Sequence, residues 1–187
     1  MTSLLLVLFS GIGQCKENPK AGDDGTASPA PTQFLVTLSE YHLEKSIPVD
    51  ADEAKILEIV RESGASPYET VRMTAAADTE SMVNFGRQIT VTTGKVARGP
   101  ITSRETQTVQ IGTILQVRIA SHGDGAMAEI SYTTSRLDGN GTDDSTPDVL
   151  TNTVQATQIY VLGEQRLLST SSVGKAPCIV VSIQQIP

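Results

Sequence analysis

Side chains able to do chemistry are few in this 187-residue chain: two histidines, His42 and His122, and two cysteines, Cys15 and Cys178. Ser121, His122 and Asp124 bring hydroxyl, imidazole and carboxylate into one short stretch. A nucleophile, its base and the group that orients the base must lie in line, which near-adjacent residues cannot achieve. His122 therefore reads as an exposed turn residue and not as a metal ligand, since zinc takes three or four His, Cys or carboxylate donors. Residues 137–148, LDGNGTDDSTPD, offer Asp138, Asn140, Asp143, Asp144 and Asp148 as hard oxygen donors for calcium. A calcium loop of the EF-hand type closes on a carboxylate, and Val149 stands there, so the stretch reads as a solvated acidic loop. The segments VGKAP and TTGK lack the earlier glycine that a phosphate-cradling loop requires. None of these patterns predicts an enzyme, a cofactor or a metal site.

Composition narrows the classes further. The formal net charge of −7 and isoelectric point near 4.8 argue against nucleic acid as a partner, because affinity for phosphates comes from clustered Lys and Arg. With no Trp and only 4% aromatic residues, the interior must be filled by Val, Ile, Leu and Ala, while Thr and Ser cover much of the rest. That mixture favours strands.

The N-terminus predicts a cellular address. Residues 4–12, LLLVLFSGI, form an apolar run too short to span a bilayer, and Cys15 follows almost at once. This resembles the lipobox of bacterial lipoproteins, which implies lipidation of Cys15, with Gln14 departing from the small residue usual before the cysteine. Residues 1–15 then read as a leader. Residues 16–32 read as a disordered tether, since Gly, Asp, Ser, Ala and Pro cannot bury enough apolar area to offset chain entropy. Secretion, or retention by an uncleaved anchor, is the alternative. Lipidation of Cys15 excludes a disulfide to Cys178, which reads as a packed strand cysteine.

The remaining residues, 33–187, predict a mainly β fold with one helix, an antiparallel sheet or sandwich on which the helix packs. In VDADEAKILEIVRESG, Asp50 is the expected N-cap, Glu53 its capping-box partner and Gly64 the stop, with Ile56, Leu57, Ile59 and Val60 as the apolar stripe. Strands are expected in FLVTLSEY, ETVRMTA, ITVTT, NTVQATQIYVL, RLLSTSS and CIVVSIQQI. Between them, residues 108–140 read as a long hairpin. Val109, Ile111, Leu115, Val117 and Ile119 share one face and Gln110, Gln116 and Arg118 the other, while Ile130 faces inward on the return arm. Ile179, Val181 and Ile183 are expected in the same core. Gly123 and Gly125 are expected to supply positive φ at the turn.

The order of these segments resembles the C-terminal β domain of the secretins of type II and type III secretion systems. In that family a V-G-x-x-L-x-V-x-P strand leads to a D-G turn and an I-x-L return strand. Ile111, Gly112, Leu115, Val117, Asp124, Gly125 and Ile130 stand on those positions, Gly163, Glu164 and Gln165 on a later D-G-Q-T turn, and Ile179 to Pro187 on a final apolar strand. The family's V-P-x-L-x-x-I-P segment and Gly-Gly pair, which belong to its gate and membrane lip, have no counterpart here. The resemblance implies a non-catalytic β domain of the cell envelope, held on a membrane by its lipid anchor or secreted. It would act by contact with envelope proteins, a secretin-type partner or itself through strand edges, and would form no gated pore. The second reading is a lipoprotein whose loops hold a small ligand, sugar or ion.

Overall fold

The computed structural model describes residues 30–44, 46–98, 101–138, 148–170 and 177–187, with the side chains of 95–98 and 101–102 left aside. The chain divides into two units, Met1–Ala30 and Pro31–Pro187, of which the second is described. The leader, Cys15 and the acidic loop after Asp138 lie outside the described residues, as does all but the end of the tether. Thr32, the last residue expected in that tether, is already part of the second unit, where its carbonyl accepts the Ala77 N–H at 2.8 Å.

The second unit is a mainly antiparallel β-sandwich with one helix. Its elements are β1 (Gln33–Tyr41), α1 (Glu53–Glu62), β2 (Glu69–Ala76), β3 (Glu80–Arg98), β4 (Ile101–His122), β5 (Gly125–Asp138), β6 (Asp148–Val161), β7 (Gln165–Ser169) and β8 (Cys178–Ile186). One sheet has the order β2-β1-β8-β7; the other is a meander, β3-β4-β5-β6. Alternation explains how they face each other. Phe34, Val36 and Leu38 of β1 and Ile179, Val181 and Ile183 of β8 point the same way, and meet Leu115, Val117, Ile119, Ile130 and Tyr132 from the meander. Val117 and Ile130 are direct partners across β4 and β5, and both are fully buried.

The first sheet is covered on its other face as well. Cys178 and Val180, the alternate residues of β8, pack with Ile56 and Val60 of α1 and with Leu43 and Ile47. Burial on both faces explains why CIVVSIQQI reads as a nearly continuous apolar run. Cys178 is a buried free thiol, and burial pushes its pKa up.

Several expectations change in detail. The N-cap is Asp52, whose carboxylate accepts the Lys55 N–H at 2.8 Å. Asp50 is used instead in the turn that Ala51 closes by donating to the Pro48 carbonyl. Glu53 is then the first helical residue and not a capping-box partner. Gly64, at φ 61°, follows the C-cap Ser63 as expected. Of the helix stripe, Leu57 and Ile59 are only half-buried. The segment ITVTT is the middle of β3, a 19-residue strand, and β4 runs 22 residues.

Glycine chemistry differs from the expected pattern at two positions. Gly123 has φ 55° and begins a two-residue turn whose second residue, Asp124, has negative φ, the type II′ pattern. Gly125 needs no positive φ. Its missing side chain matters because a Cβ there would lie 2.4 Å from the Tyr160 carbonyl oxygen. Gly112, at φ 139°, is more constrained still, since a Cβ would meet the Phe85 carbonyl oxygen at 2.1 Å. It faces Gly86 across β3, and it is the last β4 residue paired with β5. Beyond it β3 and β4 continue as a two-stranded ribbon, which is why Val109, expected in the core, is half-exposed.

Candidate functional site

Two arrangements in the sandwich exceed what packing requires. The first is the pair of free edges on the meander. A two-residue turn makes His122 and Gly125 a hydrogen-bonded pair, and bonding then alternates along the ladder. Even-numbered β5 residues therefore bond to β6, whose even-numbered residues answer them. The odd-numbered β6 residues, Val149 to Val161, aim their N–H and C=O groups away from β5. The same parity leaves Glu80, Met82 and Asn84 pointing outward from β3. No strand pairs with β3 or β6 on those sides among the described residues. Met82, Phe85, Val149, Leu150, Ile159 and Val161 are exposed along these two strands.

The meander's outer face is polar along its middle, with Ile114, Met127 and Ile159 exposed among the polar residues. Thr133 and Thr153 hydroxyls lie 3.2 Å apart and those of Ser135 and Thr151 3.0 Å, Gln155 donates to Ser131 at 3.3 Å, and Gln116 donates to Glu80 at 2.7 Å. A concavity of about 560 Å³ on this face is lined by Glu80, Gln116, Arg118, Glu129, Ser131 and Gln155 among others, with no aromatic ring. Over β4 and β5 the sheet thus has one dry face and one wet one.

The second arrangement is a buried polar node that joins the two sheets. Glu40 continues the inward face of β1 after Leu38 and is 0% exposed. One carboxylate oxygen accepts the Tyr132 hydroxyl at 2.7 Å; the other lies 2.5 Å from His42 Nε2 and 3.4 Å from Arg136 Nη1. Tyr132 and Arg136 both come from the inward face of β5. Tyr132 also lies 3.5 Å from a Glu69 oxygen. At the rim the His42 ring stacks on Tyr68 with centroids 4.4 Å apart, and the Arg136 guanidinium lies 5.2 Å from the Tyr68 centroid. Burial, and next the hydrogen bond and charge of Glu40, hold the Tyr132 hydroxyl above the usual tyrosine range. A carboxylate this buried needs such donors, since an unpaired one would carry a large desolvation cost.

The residues singled out from sequence are dispersed. Leu115, Val117 and Ile130 are core positions, and Ile111 is buried at the start of the ribbon. Gly112, Asp124 and Gly125 shape the backbone of β4 and its turn. Gly163, at φ 86°, is third in the turn that Glu164 closes by donating to the Val161 carbonyl at 3.2 Å, a type II geometry, and Gln165 opens β7. His122, Ser121 and Asp124 are exposed and converge on nothing. Among the described residues no three His, Cys, Asp or Glu side chains gather as a metal site would need. The node was missed, although Glu40 and Arg136 each fall where an alternating strand should place an inward side chain.

Neither a family model nor a curated protein sequence matches the chain. Among solved structures it is similar to the InvG secretin domain β-barrel from the Salmonella SPI-1 injectisome, with TM-score 0.47 and 10% identity over 83% of this chain and 62% of that one. It is also similar to the Salmonella SPI-1 type III secretion injectisome secretin InvG, with TM-score 0.48 and 9% identity over 83% of this chain and 63% of that one. In a third structure, of the injectisome basal body proteins InvG, PrgH and PrgK, the matched chain is covered to 45%. The chain spans less than two thirds of the length of each.

Proposed function

We propose that this chain is a secretin-like β domain of the cell envelope that acts without catalysis, by strand addition at the edges of its meander. The observation that carries the reading is the four-stranded sheet itself, whose long outer strands each leave one edge unpaired among the described residues, with apolar side chains along them. An even number of antiparallel strands leaves β3 and β6 running in opposite directions. The β6 edge of one copy can therefore lie against the β3 edge of the next and continue the antiparallel pattern. Such a contact is head-to-tail, and main-chain hydrogen bonds supply its affinity. The motif positions from Ile111 to Gln165 support the same reading. The hydroxyls and amides along the middle of the outer face favour water there, which supports a reading without a gated membrane pore. Lipidation of Cys15 would hold the chain at a membrane, with several acyl chains giving a stable anchor.

The test is proline at a free edge. Thr153 directs its N–H away from β5, so Thr153→Pro removes a docking donor and leaves the internal ladder intact. Concentration-dependent association of the full chain, followed by sedimentation, should be abolished by Thr153→Pro. Association equal in both proteins, or absent from both, overturns edge pairing between copies. Membrane fractionation of Cys15→Ala tests the anchor separately, and unchanged membrane association with no mass shift removes it.

A further inference from the structure

The edges of the sandwich are not equally open. β7 is the outer strand of the first sheet, and only five residues long. Its central residue, Leu167, has both main-chain groups already taken, and by side chains. The N–H donates to Glu53 Oε1 at 2.9 Å, and the C=O accepts from Gln158 Nε2 at 3.3 Å. Glu53 is the first residue of α1 and Gln158 belongs to β6, so two elements converge on one edge residue. Arg166 completes the group. Its Nε lies 3.4 Å from the same Glu53 oxygen, and its Nη1 donates to the Ile159 carbonyl, which faces outward from β6 by the parity derived above. A register shift between Leu167 and Ser169 breaks the β7 ladder further.

We propose that Glu53, Gln158 and Arg166 form an edge lock, a built-in contact that keeps β7 from pairing with β7 of a second copy. A short strand can pair with itself antiparallel about its central residue. Leu167 is that residue, and its N–H and C=O would make the central pair of bonds. The carboxylate and the amide occupy both. The charge of Glu53 suits the task, since a charge-assisted bond to a backbone N–H is stronger than a neutral one. Charged side chains on an edge also discourage unwanted pairing. Arg166 holds Glu53 in place and closes the last stretch of β6, so a strand docking on β6 is directed to the part before Ile159.

The lock is tested in the full chain carrying Thr153→Pro, so that failure of β6 pairing and failure of the lock are read separately. Gln165→Cys with Ser169→Cys is added as a reporter of β7 pairing on non-reducing gels, since antiparallel pairing about Leu167 sets residue 165 of one copy opposite residue 169 of the other. Glu53 has a side chain 40% exposed, so Glu53→Ala leaves the core intact. Hydrogen exchange over 165–169 should accelerate by about tenfold to a hundredfold in Glu53→Ala, from loss of one charge-assisted bond. A cross-linked dimer should appear with it and strengthen in Glu53→Ala with Gln158→Leu. Glu53→Gln keeps an acceptor oxygen and should restore most of the protection. Unchanged exchange at Leu167 in Glu53→Ala, or faster exchange with no dimer in either variant, overturns the lock.

Discussion

The Glu40–Tyr132 contact gives the sharpest test of how the two sheets are joined. Tyr132→Phe removes a single hydroxyl, and with it a 2.7 Å bond to a carboxylate shielded from water. A hydrogen bond to a charged group contributes about 1.5–3 kcal/mol, so the variant should lose that much. Glu40→Gln keeps the shape but removes the charge that Arg136 and His42 face. Those two side chains are 27% and 28% exposed and can be rehydrated, so the loss should fall at about 2–3 kcal/mol, below that for a fully buried pair. Because the charge that Glu40→Gln removes is what strengthens the bond that Tyr132→Phe removes, the double variant should lose less than the sum by about 1–2 kcal/mol. Urea melts followed by far-ultraviolet circular dichroism give each term, with an unchanged m-value showing that the unfolded state is comparable. Tyr160→Phe is the control. Its hydroxyl is buried without a partner among the described residues, and its removal should be neutral or stabilising. Additivity of Glu40→Gln and Tyr132→Phe within about 0.3 kcal/mol would refute the coupling.

Other predictions follow from the same geometry. Val117→Ala and Ile130→Ala should each cost on the order of 1–4 kcal/mol in denaturant melts through lost burial and cavity formation, while Gln116→Ala on the wet face should change little. Gly112→Ala should cost more than a few kcal/mol or abolish folding, because it combines a left-handed φ with a 2.1 Å approach to the Phe85 carbonyl, whereas Gly123→Asn should be tolerated; expression and thermal melts separate the two. Burial pushes the Tyr160 hydroxyl up to about 12, so the unfolded chain releases its proton first, and stability held below pH 10 should fall as the pH rises through about 12. Tyr160→Phe should flatten that decline in melts across the alkaline range. Finally, the β3–β4 ribbon beyond Gly86 should be cut by trypsin after Arg87 more readily in Thr153→Pro than in the assembled chain, as mass spectrometry of early fragments would show.

How far the fold was legible depends on how strongly water discriminated between positions. The strands β1, β2, β5 and β8 and the position of the hairpin turn, though not the conformation at Gly125, read correctly because one or both faces are dry and the alternation is forced. The helix read correctly in extent but not in its cap. Asp50 and Asp52 are chemically equivalent candidates, and only the Pro48 turn decides between them. Glu40 shows the opposite failure. A charge at an inward position looks like the end of a strand's buried face until a partner is known, and its partners Tyr132 and Arg136 lie more than ninety residues away.

The length of β3 was illegible for a reason that bears on what the domain does. Val83, Phe85, Ile89 and Val91 alternate with polar residues, but Arg87 breaks the run, and residues 84–88 are exposed because this part of the strand covers no core. From Arg87 and Ile111 to Arg98 and Ile101, β3 and β4 pair only with each other among the described residues. A two-stranded ribbon is marginal in water by itself, and here Val91 and Ile111 are buried on one of its faces. A neighbouring strand would supply both the missing hydrogen bonds and a third strand. The weakest part of the sequence signal thus falls on the stretch of the meander that pairs on one side only among the described residues, where the proposed strand addition would supply its third strand.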